Sequence, residues 1–220
     1  MSVEGITGSD IVRGGMMHGE GPIHLQDVER MKRVMPQDFE PEGHATAIFE
    51  SLAAWDRVPR DHRADTPRRF LEALHQLTDR EEFNFTMFDS NGLDEMIVLG
   101  PIPFYTLCAH HIVPFFGSAW IGYVPDKRIA GLSKFARTVK NEAKGFWVQE
   151  ELTVSIANFL ESRLSPKGLA VVVKAEHMCM AMRGVQQPGV ITTTSAMRGV
   201  FADHSRTAKV EFLEWIHNGS

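Results

Sequence analysis

Two short segments constrain what this chain can fold into. The first is Leu107-Cys108-Ala109-His110-His111 and the second is Glu176-His177-Met178-Cys179. They hold the only two cysteines among 220 residues, and each cysteine has a histidine within two residues. So few cysteines build no disulfide framework and point to a reducing compartment. Ligation of one metal ion by thiolate and imidazole accounts for the pairing, and it demands a fold that brings two remote segments together.

Cys108 and His111 are separated by two residues, a spacing that lets both reach one ion from a loop. Cys179 supplies a third ligand from a distant strand, on which His177 points to the same side. A Cys, Cys, His set leaves one tetrahedral position open, which is the catalytic zinc arrangement. His110 or His177 could close that position and give an inert four-ligand site. Both are as well placed to donate or accept protons beside the metal. The competing reading is a pair of buried structural cysteines beside hydrogen-bonded histidines.

Around these segments the pattern is helices first, then strands. Residues 1–41 are glycine-rich and read as a flexible arm, with Leu25–Met31 forming a helical turn or two. Ala45, Ile48, Phe49, Leu52 and Ala53 share one helical face. A second helix opens at Thr66 as N-cap with Pro67 in its first position, burying Phe70, Leu71, Leu74 and Leu77. Met96–Leu99, Phe104–Leu107 and Ser118–Val124 read as strands. Helices follow at Ser133 and along Val148, Leu152, Ile156, Phe159 and Leu160. A turn at Ser165-Pro166-Lys167-Gly168 leads to strands at Leu169–Lys174 and Val190–Ser195. A last helix carries Val210, Phe212, Leu213 and Ile216. That order is α+β, not the alternation of a doubly wound fold. The expected division is an arm over 1–41, a helical segment over 42–92 and a catalytic domain over 93–220.

The formal net charge of −5 argues against a general nucleic-acid binder. No apolar run reaches the length of a membrane span, and the N-terminus lacks a secretory pattern. A soluble, cytoplasmic protein is expected. A small anionic ligand remains open, because Ser133, read as an N-cap, with Lys134 and Arg137 on adjacent turns, forms a phosphate-ready helix start. Arg183 follows the second cysteine segment by four residues and brings a further cation. Taken singly, each of these residues reads as a solvated basic side chain. Gln149 and Glu150 begin the long helix, where a glutamate is favoured by the helix dipole. A carboxylate there can also accept two parallel hydrogen bonds from a guanine edge.

Together these motifs resemble one family. Cys-x-His-His-x-x-Pro-Phe-x-Gly, Gly-Leu-Ser-Lys-x-x-Arg, Val-Gln-Glu, Glu-His-Met-Cys-Met-x-Met-Arg-Gly-Val and Thr-Thr-Thr-Ser occur in the order and spacing of GTP cyclohydrolase I, over roughly residues 42–217. The resemblance implies a tunnelling fold, an antiparallel sheet with helices on one face, preceded by an N-terminal helical segment. It implies a homodecamer with active sites between subunits, and conversion of GTP and water to formate and 7,8-dihydroneopterin triphosphate in pterin and folate biosynthesis. Carried over by motif, Cys108, His111 and Cys179 hold Zn2+, and His110 and His177 are the acid–base histidines. Glu150 with Gln149 anchors guanine; Ser133, Lys134, Arg137 and Arg183 hold the triphosphate and ribose side, with Ser133 also a candidate in proton transfer. Arg69, not Arg68, is the extra phosphate ligand, from another subunit.

The chain departs from the family pattern at Ala109, where glutamate is usual, across Glu142–Trp147, and at Glu151. Alanine cannot accept a hydrogen bond, so an orienting role of that carboxylate is lost. The departure motivates an alternative, a degenerate paralogue that binds GTP or zinc in a structural or regulatory role. A third reading is the nitrile reductase chemistry found on the same fold. It needs a cysteine free of metal, and the zinc motif uses both.

Overall fold

In a computed structural model the described residues are 40–202 and 207–218. The chain divides into two compact units after Arg63. The arm, including the expected turns at Leu25–Met31, lies outside the described residues.

In the first unit, α1 spans Pro41–Glu50, a 3-10 turn covers Trp55–Arg57, and α2 is the single turn Arg60–Arg63. Helix α1 stops before Leu52 and Ala53, so the expected five-residue face is cut short. Of that face only Ala45 is buried, and Ile48 is 60% exposed. Phe49 instead stacks on Trp55 with ring centroids 5.0 Å apart.

In the second unit, α3 spans Thr66–Thr78. Its N-cap is Asp65, so Thr66 is the first helical residue and not the cap expected from sequence. Strand β1, Met87–Asp89, pairs antiparallel with β4, Arg128–Ala130. The main sheet has the order β5-β2-β3-β6-β7, with β2 at Ile97–Cys108, β3 at Pro114–Val124, β5 at Phe146–Trp147, β6 at Gly168–His177 and β7 at Ile191–Gly199. All its pairings are antiparallel except β2 with β5. The two strands expected around Pro101 and Pro103 are one strand with a register shift between Leu99 and Ile102. The shift falls where Pro101 removes a backbone donor.

Side chains alternate across this sheet, as a two-residue period requires. Ala119, Ile121 and Tyr123 of β3 join Leu169, Val171 and Val173 of β6 in the main core. Helices α4, Leu132–Glu142, and α5, Gln149–Leu164, cover that face through Phe135, Val139, Leu152, Ile156 and Leu160. Trp120, Ala170 and Val172 point the other way and pack with Phe212 and Ile216 of α7, Ala208–Asn218. The α+β architecture is as expected, with α7 as an addition on the second face. Gly117 allows β3 and β6 to approach: a Cβ there would overlap the Lys174 carbonyl oxygen and meet the Ala175 Cα at 2.7 Å. Among the described residues no helix is long and apolar enough to cross a membrane.

Candidate active site

One end of the main sheet carries the chemistry. Thr106 of β2 pairs with Phe115 of β3, and Phe115 pairs with His177 of β6. Cys108 lies two residues beyond Thr106, on the same face of the sheet. Strand β6 ends at His177, and a single helical turn, α6, Met178–Ala181, carries Cys179 back over the sheet end. Cys179 is therefore not on the strand with His177, as the sequence suggests. The turn achieves the same convergence: ligand atoms of Cys108, His177 and Cys179 all lie within 4.8 Å of one another. Two sulfurs and an imidazole in one cluster suit a borderline-soft ion such as zinc.

The first segment forms a tight turn after β2. The backbone N–H of Ile112 donates to Cys108 O at 2.8 Å, and that of Cys108 donates to Val113 O at 2.9 Å. His110 and His111 are exposed on this turn. His110 Nδ1 lies 3.9 Å from Cys108 Sγ. His111 stands outside the three-residue cluster, so the structure gathers His177 with the two cysteines where the motif reading placed His111.

His177 is fixed from two sides. Its ring stacks on Phe115 with centroids 4.4 Å apart and planes within 7°. Its Nε2 lies 2.7 Å from Gln149 Oε1. Gln149 Nε2 donates to Val173 O at 3.2 Å and Thr192 O at 3.0 Å, and meets Thr194 Oγ1 at 3.1 Å. Carbonyls only accept, so the amide nitrogen must face them and Oε1 must face the histidine. His177 therefore carries its proton on Nε2 and keeps a lone pair on Nδ1. Gln149, 2% exposed, is spent on the sheet and on His177.

Burial lowers the His177 pKa below its ordinary value, and the nearby Glu150 carboxylate partly offsets this. The imidazole is thus neutral at neutral pH. Glu150 is exposed in the first turn of α5, where the dipole favours a carboxylate. Burial raises the Cys179 thiol, and the adjacent Cys108 raises it further, while the Arg183 guanidinium opposes both. The Cys179 thiol, crowded by Cys108, resists ionisation until a cation shares it.

The basic residues occupy the expected elements. The N-cap of α4 is Gly131, so Ser133 lies inside the helix and not at its cap. Ser133 and Arg137 are exposed and Lys134 is half-buried. Arg69 is exposed and donates to Asp65 Oδ2 at 3.1 Å, while Arg68 pairs with Glu72 at 2.6 Å. Sequence reasoning missed Phe115, which has no polar group, and the orienting role of Gln149, whose partners are 24 to 45 residues away.

This fold and site define a class: an α+β protein with a two-cysteine, one-histidine cluster where its sheet meets a pair of helix starts. The model of the family GTP cyclohydrolase I matches residues 44–217. The chain is 46% identical to GTP cyclohydrolase 1 of Aquifex aeolicus over 158 residues, covering 71% of this chain and 85% of that protein. It is 44% identical to the Mycolicibacterium vanbaalenii enzyme of that name, covering 81% and 91%, and 41% identical to one from Streptococcus agalactiae, covering 79% and 95%. The chain belongs to the GTP cyclohydrolase I family and is an enzyme with the tunnelling fold.

Proposed function

We propose that this chain is a zinc-dependent hydrolase that converts GTP and water to formate and 7,8-dihydroneopterin triphosphate. The observation that carries the reading is the convergence of Cys108, Cys179 and His177 at one sheet end, in a chain of this family. Cys108 and Cys179 hold the ion, with His111 as third ligand. The assignment of His111 follows the Cys-x-His-His motif, and no hydrogen bond among the described residues ties the His111 ring. When bound, zinc supplies Lewis-acid chemistry that makes water a nucleophile near neutral pH.

The chain's own residues do the rest. Glu150 accepts two parallel hydrogen bonds from a ring N–H and the exocyclic amine of guanine. Its carboxylate is close enough to act on His177, which brings the purine to the cluster. Lys134, Arg137 and Arg183 hold the triphosphate, Ser133 the ribose side, and Arg69 reaches in from a neighbouring subunit of a homodecamer. Water adds at C8 and the five-membered ring opens to a formamide as the departing ring nitrogen takes a proton. Neutral His177 and exposed His110 carry the protons of these steps. A second water releases formate. The ribose opens and rearranges, and ring closure expels one water, so one water is consumed overall. The protein works in the cytoplasm and binds neither nucleic acid nor membrane.

A turnover assay tests this. Formate release and pterin fluorescence from GTP are followed before chelation, after it, and after zinc is restored. Loss on chelation and recovery with zinc are expected. Turnover untouched by chelation removes zinc from the reading. Binding of GTP and zinc with no turnover makes the chain the regulatory or structural relative instead.

A further inference from the structure

The turn that carries Cys108 is held by residues outside the motifs quoted above, Trp147 and Arg80. The backbone N–H of Ala109 donates to Trp147 O at 3.0 Å, and Cys108 pairs in register with Trp147. Strand β5 is only the two residues Phe146–Trp147, in parallel pairing with the end of β2. A two-residue parallel strand does not hold itself in place. Something else must fix Trp147.

That anchor is Arg80, half-buried in the segment between α3 and β1. Its guanidinium lies over the Trp147 ring, 5.5 Å from the centroid. Its Nε donates to Lys144 O at 3.4 Å, the same oxygen that accepts from Trp147 Nε1 at 3.4 Å. Its Nη2 donates to Glu142 O, and its Nη1 pairs with Glu142 Oε2, each at 3.4 Å. Glu142 is 3% exposed, and Oε2 also accepts from Ser155 Oγ on α5 at 2.5 Å. On the far side, the Gly145 N–H donates to Leu77 O at 3.0 Å and the Lys144 ammonium to Gln76 O, so the 142–147 segment caps the end of α3. Ala109 itself offers only a methyl group.

We propose that Arg80 is a positioning residue for the metal, fixing the Cys108–Ala109 turn through Trp147 and tying it through Glu142 and Ser155 to the helix that carries Gln149 and Glu150. The inference rests on the zinc reading above. A planar, delocalised cation suits the role, because it stacks on the indole while its fork holds two carbonyls and a carboxylate.

Cobalt(II) added to the metal-free full chain tests it. Thiolate-to-cobalt charge-transfer absorption reports affinity, and the ligand-field bands report geometry. Trp147→Leu and the double variant Arg80→Met with Glu142→Leu are compared with the parent chain. The double variant leaves no unpaired buried carboxylate, and the thermal melt of each variant is recorded beside its cobalt spectrum. Arg68→Met, at an exposed ion pair on α3, is the control. The expected result is cobalt binding weakened by about 10–100-fold with altered ligand-field bands in both variants, and parent behaviour in the control. Arg80→Lys recovers only part of the affinity. Parent-like affinity and bands in variants that only melt earlier would overturn the inference and leave Arg80 as a stabilising residue. A parent chain that takes up no cobalt sinks the zinc reading itself, a result distinct from a failure of Arg80 alone.

Discussion

Gln149 holds His177 through a 2.7 Å hydrogen bond from Nε2–H to Oε1, and its own amide nitrogen is held by Val173 O and Thr192 O of adjacent strands. The first residue of a helix thereby sets the tautomer of the last residue of a strand. Gln149→Leu removes the acceptor and the donors together. Turnover is expected to fall about 10–100-fold. Stability is expected to fall by about 1–3 kcal/mol, because buried carbonyls lose their partner. Kinetics and urea denaturation of the same preparation check both.

His177 has a pKa depressed mainly by burial, so the unfolded chain binds its proton more readily than the folded chain. Stability therefore rises with pH across the window that opens below the ordinary histidine value of about 6.5. As pH falls through that window the contribution is lost. Urea midpoints of the metal-free chain at several pH values should show this slope, and His177→Gln should flatten it.

Cys108→Ser and Cys179→Ser are each expected to abolish stoichiometric zinc and turnover, since a serine oxygen is a poor ligand for a thiolate site. His111→Ala should lose zinc, whereas His177→Ala should retain zinc and lose turnover. Metal analysis of the purified variants separates the two histidines. The reverse order would make His177 the ligand.

Gly117→Ala places a methyl against the Lys174 carbonyl and the Ala175 Cα, both backbone atoms of the paired strand. Strands β3 and β6 must part, and the Phe115–His177 pair lies two residues along. Destabilisation of about 1–3 kcal/mol or more is expected, with loss of turnover. Thermal melting and activity measured together check it.

Ala109→Glu installs the carboxylate that the family resemblance leads one to expect at this position. The turn is already held by its backbone bond to Trp147 and by Arg80 behind that ring. Turnover is therefore expected to stay unchanged within error, measured as pterin fluorescence at saturating zinc.

Much of this molecule is legible along the chain. The strand Leu169–Val173 is apolar without interruption because helices cover both of its faces, and such a run is visible without a structure. The helix beginning at Gln149 shows its apolar face at Leu152, Ile156 and Leu160. Cap positions slipped by one or two residues at Thr66 and Ser133, because several neighbours satisfy the same local rule. The expected face of α1 stayed exposed at Ile48, since periodicity reports an apolar face and not what covers it.

Composition, motif order and spacing determined by themselves the α+β class and the two cysteine segments. Those features depend on residue type and local repeat, which the chain states directly. Only the tertiary structure decided that Gln149 faces His177, that His177 joins Cys108 and Cys179, and that Arg80 backs Trp147. Each of these depends on strand register and on which way a helix start faces. Pairing across a sheet is set by packing between segments far apart in the chain, and no local pattern encodes it.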